Sequence, residues 1–178
     1  MKKVLMVIIT FIIICLSIWF QMTFLNSIPL SGVVANFGIV LIAGLGLVSG
    51  KFVGGIIGGV YGLLIDLAFA RGIGLYVTLY ALVGIISGYL NNSFSKGNKI
   101  SMIMLILICT SFFEIVAYLF NILLNGFELD IKILIIKLVL ESMYNILLTV
   151  LFFKPIVFYG ELLNKTKNSY YLLWIKKW

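Results

Sequence analysis

The 178-residue sequence contains no histidine, two cysteines and two prolines, and only 11% of its residues are charged. Without histidine, the chain lacks the commonest acid–base group and metal ligand. Cys15 and Cys109 both lie inside apolar runs, where we expect buried thiols that form no disulfide. No nucleotide-binding loop, zinc-ligand spacing or nucleophile elbow occurs. These absences predict a protein that is not an enzyme and that uses no metal and no cofactor.

Hydrophobic residues are abundant instead, at 63% of the chain, which is well above their share in a soluble domain. Apolar runs long enough to span a bilayer recur along the sequence, without the strict alternation of a barrel strand. The sequence therefore predicts an all-α integral membrane protein with short loops.

Six transmembrane helices are predicted from these runs, at about residues 4–25, 33–49, 52–70, 73–90, 100–124 and 131–153. We expect Lys154-Pro155 to end the last helix, because proline removes a helical hydrogen bond. Residues 156–163 would then lie along the inner membrane surface. This interpretation divides the chain into a six-helix transmembrane domain, residues 1–163, and a basic, aromatic cytoplasmic tail, residues 164–178.

The lysines orient this topology. The net charge is +7, and with six spans most of the lysines fall on one side of the membrane. Arg71 and Lys132 are the exceptions. The positive-inside rule then places both termini in the cytoplasm. The dispersed lysines argue against a nucleic-acid partner, and those of the tail predict contact with anionic lipids of the inner leaflet. The main rival has five spans with residues 33–62 re-entrant, which puts the termini on opposite sides.

Glycines form two rows in the third predicted span. Gly50, Gly54, Gly58 and Gly62 recur every four residues, beside a second row made by Gly55 and Gly59. Such rows let another helix backbone approach closely, either inside the protein or from a partner's span. We favour an internal seam for most of them, and Gly54, Gly58 and Gly62 are the best candidates for partner docking.

Asp66 lies on nearly the same face as the main glycine row, at the outer end of the third span. We expect it to pair with Arg71 or to reach the lipid headgroups by snorkelling.

A second group of polar residues lies within the fifth and sixth spans, namely Glu114, Lys137, Glu141 and Asn145. The last three are four residues apart and share one helix face. An intramembrane charge costs about 2.5–3.5 kcal/mol on insertion scales, so each one requires a partner. We predict that Lys137 bridges both carboxylates. A proton or cation relay through Glu114 and Glu141 is the functional alternative.

An ordered pattern between residues 30 and 92 resembles the MreD family of bacterial rod shape-determining membrane proteins. The pattern is Ala35-Asn36, an apolar span, Lys51, a glycine-rich span ending Gly62-Leu63-Leu64-Ile65-Asp66, then Gly72-x-Gly74-Leu75, Leu79-Tyr80-Ala81-Leu82 and Gly84-x3-Gly88. Family members commonly carry Pro-Asn where this chain has Ala35-Asn36.

The resemblance implies a non-enzymatic scaffold in the bacterial plasma membrane that helps to organise cell elongation and peptidoglycan synthesis. Its implied partners are an MreC-like bitopic protein and, through it, the MreB filament and the RodA synthase with its transpeptidase. The family is similar in fold to the substrate-binding S components of energy-coupling-factor vitamin transporters, so a small-molecule carrier subunit is the alternative. We expect an outer half poor in hydrogen-bonding side chains, which disfavours the carrier. A lipid- or peptidoglycan-handling enzyme is the least favoured function.

Overall fold

Six α-helices follow one another along the chain in a computed structural model that describes residues 2–29, 32–69, 74–92, 98–125 and 130–175. Side chains are described for 4–29, 32–68, 74–91, 98–123 and 130–165. The helices are α1 (Lys2–Thr23), α2 (Phe37–Ser49), α3 (Lys51–Phe69), α4 (Leu75–Tyr89), α5 (Lys99–Asn125) and α6 (Ile131–Ile175). Short 3₁₀ turns follow α1 and α4. The all-helical class predicted from the apolar runs is confirmed for the described residues.

Four of the helices are long and apolar enough to cross a membrane, over Val4–Ser27, Lys51–Ala68, Lys99–Leu123 and Ile131–Lys165. α2 and α4 are equally apolar but shorter, at 13 and 15 residues. At about 1.5 Å per residue, each is roughly 20 Å long, less than the ~30 Å hydrocarbon core of a bilayer. α1 leaves most of its apolar side chains exposed, as expected of a helix that faces lipid.

The shortest helix, α2, lies at the centre of the bundle. All 13 of its residues are buried, and it packs against each of the other five helices. Its sequence is apolar on every face, which is typical of a helix with no exposed side. The bundle is therefore built around α2, although the neighbouring glycine-rich helix has the more conspicuous sequence pattern.

Two local devices fix the ends of α2. At its start, the side-chain oxygen of Asn36 accepts a hydrogen bond from the backbone N–H of Ile39, at 3.2 Å, as a helix N-cap does. At its end, Gly50 has a φ of 90°, a conformation that costs glycine little. α3 begins at the next residue, so the chain reverses without a loop.

The closest helix pair is α3 with α4. Gly54, Gly58 and Gly62 lie directly on the α4 backbone, where a Cβ atom at each would collide with Gly84, Tyr80 and Tyr76 respectively. Gly84 in turn lies on Gly54, and Gly88 lies on Lys51. The main glycine row thus forms a seam inside the protein.

The second glycine row is less tightly packed. A Cβ on Gly55 would meet the side chain of Ile85, whereas one on Gly59 would come no nearer than 4.0 Å to Ala81.

The last helix differs from the sequence prediction. α6 continues through Pro155 to Ile175, over 45 residues, so the expected stop at Lys154-Pro155 is wrong. Proline removes one backbone N–H from the helix. A helix in a membrane bundle tolerates that loss, because neighbouring helices can satisfy the backbone group that is left free. At about 1.5 Å per residue the helix is roughly 68 Å long, about twice the bilayer core. Residues 164–175, predicted as a separate tail, continue this helix.

Candidate functional site

A polar cavity of about 640 Å³ opens at one end of the bundle. Its walls come from the C-terminal halves of α1, α3 and α5, from the N-terminal halves of α4 and α6, and from residues 32–36, which lead into α2. The cavity lies beside Asn36, where the short central helix begins and leaves the bundle axis unfilled. Its hydrogen-bonding side chains are those of Gln21, Asn26, Asn36, Tyr61, Tyr76, Tyr80, Glu114, Asn121, Lys137 and Glu141.

Aromatic rings form one wall of the cavity. The ring of Tyr80 lies 4.9 Å from that of Tyr61 and 4.8 Å from that of Phe113, measured between centroids, and Tyr76 stacks on it at 6.3 Å. Room for Tyr61 is made by Gly38 of α2, because a Cβ atom there would lie 2.6 Å from the tyrosine ring. The rings pack against one another at the centroid distances that aromatic pairs favour, and together they form a continuous aromatic wall.

The charged residues predicted to interact do meet at this cavity. Nζ of Lys137 lies 2.5 Å from Oε2 of Glu114, which is the one ion pair among the described side chains. Glu141 lies beside Glu114 and is only 2% exposed. Its Oε1 atom has no hydrogen-bond partner among the described residues. Lys137 therefore contacts one of the two carboxylates at ion-pair distance, whereas the sequence predicted a bridge to both.

Asn145, the fourth residue of that group, interacts with Glu141 and also joins α6 to two other helices. Its side-chain oxygen accepts a hydrogen bond from the backbone N–H of Asn36, at 2.9 Å, and its amide donates to Thr110 at 3.0 Å. Tyr80 donates from its hydroxyl to the side-chain oxygen of Asn36, at 2.9 Å. The start of α2 is thus tied to α4, α5 and α6 at the cavity.

Asp66 does not reach the lipid headgroups by snorkelling, because it is only 2% exposed. Its carboxylate accepts hydrogen bonds from the backbone N–H groups of Gly74 at 2.8 Å, Val77 at 3.1 Å and Tyr76 at 3.2 Å. These are the first N–H groups of α4, which carry the positive end of the helix dipole. Asp66 thus joins the end of α3 to the start of α4. Arg71, its predicted partner, lies outside the described residues.

The expectation of an outer half poor in hydrogen-bonding side chains is wrong for the end of the bundle that holds this cavity. Each helix contributes only one or two polar residues, which look unremarkable in isolation and converge only when the six ends are brought together. Sequence reasoning missed Gln21, Tyr61, Tyr76 and Tyr80. Successive spans run in opposite directions, so the C-terminal half of one span lies beside the N-terminal half of the next. Comparing those halves would have grouped these four residues.

No protein-family model, curated protein or solved structure matches the chain.

Proposed function

We propose that the chain is a non-enzymatic membrane scaffold of the bacterial cell-elongation machinery, of the MreD type, in the plasma membrane. The observation that carries this proposal is the ordered pattern between residues 30 and 92 that resembles that family. Two of its polar members fix helix ends: Asn36 caps α2 and Asp66 holds the start of α4. Its glycines within α3 and α4, Gly62, Gly84 and Gly88, line the α3–α4 seam. A pattern used in this way defines a rigid body that other proteins can bind.

In this proposal all six helices span the membrane and both termini are cytoplasmic. Lys51 and Lys99 begin α3 and α5, at the end of the bundle opposite the cavity. Lys99 lies over the ring of Phe153, which brings the Lys154 region of α6 to the same end. Because lysine favours the cytoplasmic side, the cavity faces outward.

The proposed partner is an MreC-like protein with a single span, which links the scaffold to the MreB filament and to RodA with its transpeptidase. Gly54, Gly58 and Gly62 already contact α4, so a partner helix would use another face of the bundle. The cytoplasmic end of α6 carries the lysines that would contact anionic lipid in the inner leaflet.

Co-purification tests the scaffold directly. The tagged chain is extracted in mild detergent from its own host, with an unrelated tagged polytopic protein from the same membrane as the control. We expect one bitopic protein with a large extracytoplasmic domain to co-purify with the chain and not with the control. Recovery of the chain without such a protein, under conditions in which it remains folded, would contradict the proposal.

The second candidate is a vitamin-type substrate-binding subunit of an energy-coupling-factor transporter. The cavity favours it, because its volume lies within the ~300–1,000 Å³ range of small-molecule sites and its wall combines aromatic rings with a few polar groups. The same purification separates the two functions: a pair of ATPase subunits with a coupling membrane protein would indicate the carrier.

A further inference from the structure

We propose that the cavity binds a small organic cation, with a protonated amine on Glu141 and the organic part against the tyrosine wall. The proposal does not rest on the scaffold function, since a ligand in this cavity is compatible with either candidate function. It names a charge class of ligand that the resemblance does not supply.

The charges around the cavity give the first argument. Two carboxyl groups, those of Glu114 and Glu141, face it with a single ammonium group, that of Lys137. Lys137 is in contact with Glu114, so the positive charge next to Glu141 is already engaged. A buried carboxyl oxygen without a donor is costly, and a ligand ammonium supplies both a hydrogen-bond donor and a second positive charge for the two acids.

The carboxyl group of Glu141 lies at the cavity and has an unsatisfied oxygen. Glu141 is one of the residues that line the cavity, it is 2% exposed, and its Oε1 atom lacks a hydrogen-bond partner among the described residues. The amide of Asn145 donates to Thr110, and the Glu141 carboxyl group also interacts with Glu114 and Asn145, so Oε1 is its one unsatisfied oxygen among the described residues. A donor that enters the cavity can supply the missing hydrogen bond.

The shape and chemistry of the walls give the second argument. Tyr61, Tyr76, Tyr80 and Phe113 present ring faces and edges to a volume of about 640 Å³. Such rings attract a cation within about 6 Å of their centroids and also pack against apolar groups. The same site disfavours anions, since a phosphate or carboxylate ligand would meet two acids and only one base. The class is therefore an amine with an apolar or aromatic body.

An amine could come from solution or from the headgroup of an aminophospholipid. Ile133 and Ile136 of α6 belong to the cavity lining and are also exposed on the bundle surface, where lipid would contact them. The experiment therefore includes a lipid arm.

Three phenyl compounds of similar size and different charge test the proposal on the purified protein in lipid-free detergent by isothermal titration calorimetry. They are 2-phenylethylamine, 2-phenylethanol and 3-phenylpropionate. We expect saturable binding of the amine, at least tenfold tighter than that of the alcohol, and no binding of the acid. Equal affinities for amine and alcohol, preferred binding of the acid, or no saturable binding of the amine would overturn the proposal. This comparison needs no variant, so it holds even where a substitution prevents folding.

Two variants then locate the site. Glu141→Gln should remove the preference for the amine over the alcohol while retaining alcohol binding, which also reports an intact cavity. Glu161→Gln is the matched control, because Glu161 is an exposed carboxylate on the same helix outside the cavity, and it should behave as the unaltered protein. An undiminished amine preference in Glu141→Gln would refute the role of this residue.

The lipid arm repeats the amine titration in phosphatidylcholine nanodiscs with and without phosphatidylethanolamine. Weaker apparent amine binding when phosphatidylethanolamine is present identifies the lipid headgroup as a ligand, and unchanged binding identifies a soluble amine. Neither result bears on co-purification with a bitopic partner, so failure of this proposal and failure of the scaffold function remain distinguishable.

Discussion

Among single residues, Asp66 shows most directly how backbone N–H groups stabilise a buried charge. Three backbone N–H groups at the start of α4 donate to its carboxylate. They are groups that a helix leaves unsatisfied at its N-terminus, where the helix dipole also favours negative charge. The interaction fixes the angle between α3 and α4, and through it the position of Tyr76 and Tyr80 in the cavity wall.

Asp66→Ala should lower the free energy of unfolding by about 2–3 kcal/mol, because charge-assisted hydrogen bonds are lost and buried N–H groups are left unpaired. Thermal unfolding in detergent measures the change. Asp130→Ala is the matched control: its carboxylate also caps a helix, accepting from Lys132 and Ile133, but it is exposed, so water can replace it. Equal losses in the two variants would show that burial of the Asp66 cap contributes nothing.

Lys137→Met should reduce the yield of folded protein more than the double change Lys137→Met with Glu114→Gln. The single change leaves two carboxyl groups without a positive charge beside them, whereas the double change leaves one. Yield is read as the monodisperse fraction after size-exclusion chromatography. A double variant no better than the single one would show that the ion pair does not stabilise the fold.

At the scale of helices, the two glycine rows differ in what they contact. A Cβ atom on Gly58 collides with the α4 backbone at Tyr80, which cannot move aside as a flexible side chain can. A Cβ atom on Gly59, the next residue, meets nothing closer than 4.0 Å. The spacing of glycines alone does not distinguish these two positions.

Gly58→Ala should therefore destabilise the protein by about 1–3 kcal/mol, the usual cost of overpacking, as α4 is forced away from α3. Gly59→Ala should leave stability unchanged or raise it slightly, because alanine favours a helix by up to about 1 kcal/mol over glycine. Both are measured as thermal unfolding in the same detergent. Equal destabilisation of the two variants would contradict the α3–α4 seam.

How far the sequence could be interpreted differs from one helix to another. The helical class follows from long apolar runs, and α3, α5 and the start of α6 lie close to their predicted bounds because glycine, asparagine and aspartate mark their ends. The central position of α2 could not be predicted, since an apolar sequence does not reveal which neighbours surround it. Pro155 was misread because a local rule for proline ignores the helices that pack around it.

The cavity could be predicted only in part. Glu114, Lys137 and Glu141 were grouped from their spacing and depth, and they do lie together. The tyrosine wall depends on the crossing of α3 and α4 and on the space left by Gly38, which are properties of packing rather than of any one segment. Convergence of isolated polar residues is a tertiary property, so a sequence read one helix at a time does not show it.

For the whole molecule, the proposed topology makes the cavity outward-facing and the lysine-rich end cytoplasmic, and cysteine labelling in intact cells tests this arrangement. In a Cys15→Ser background, with Cys109 buried, single cysteines are placed at Asn26 and at Asn98, which are exposed at opposite ends. We expect a membrane-impermeant maleimide to label Asn26→Cys in intact cells and Asn98→Cys only after lysis. Both sites lie beyond apolar helices, so their protection depends on side and not on burial. Labelling of Asn98→Cys alone in intact cells would invert the bundle, turn the cavity toward the cytoplasm and remove the topological basis for an extracytoplasmic partner.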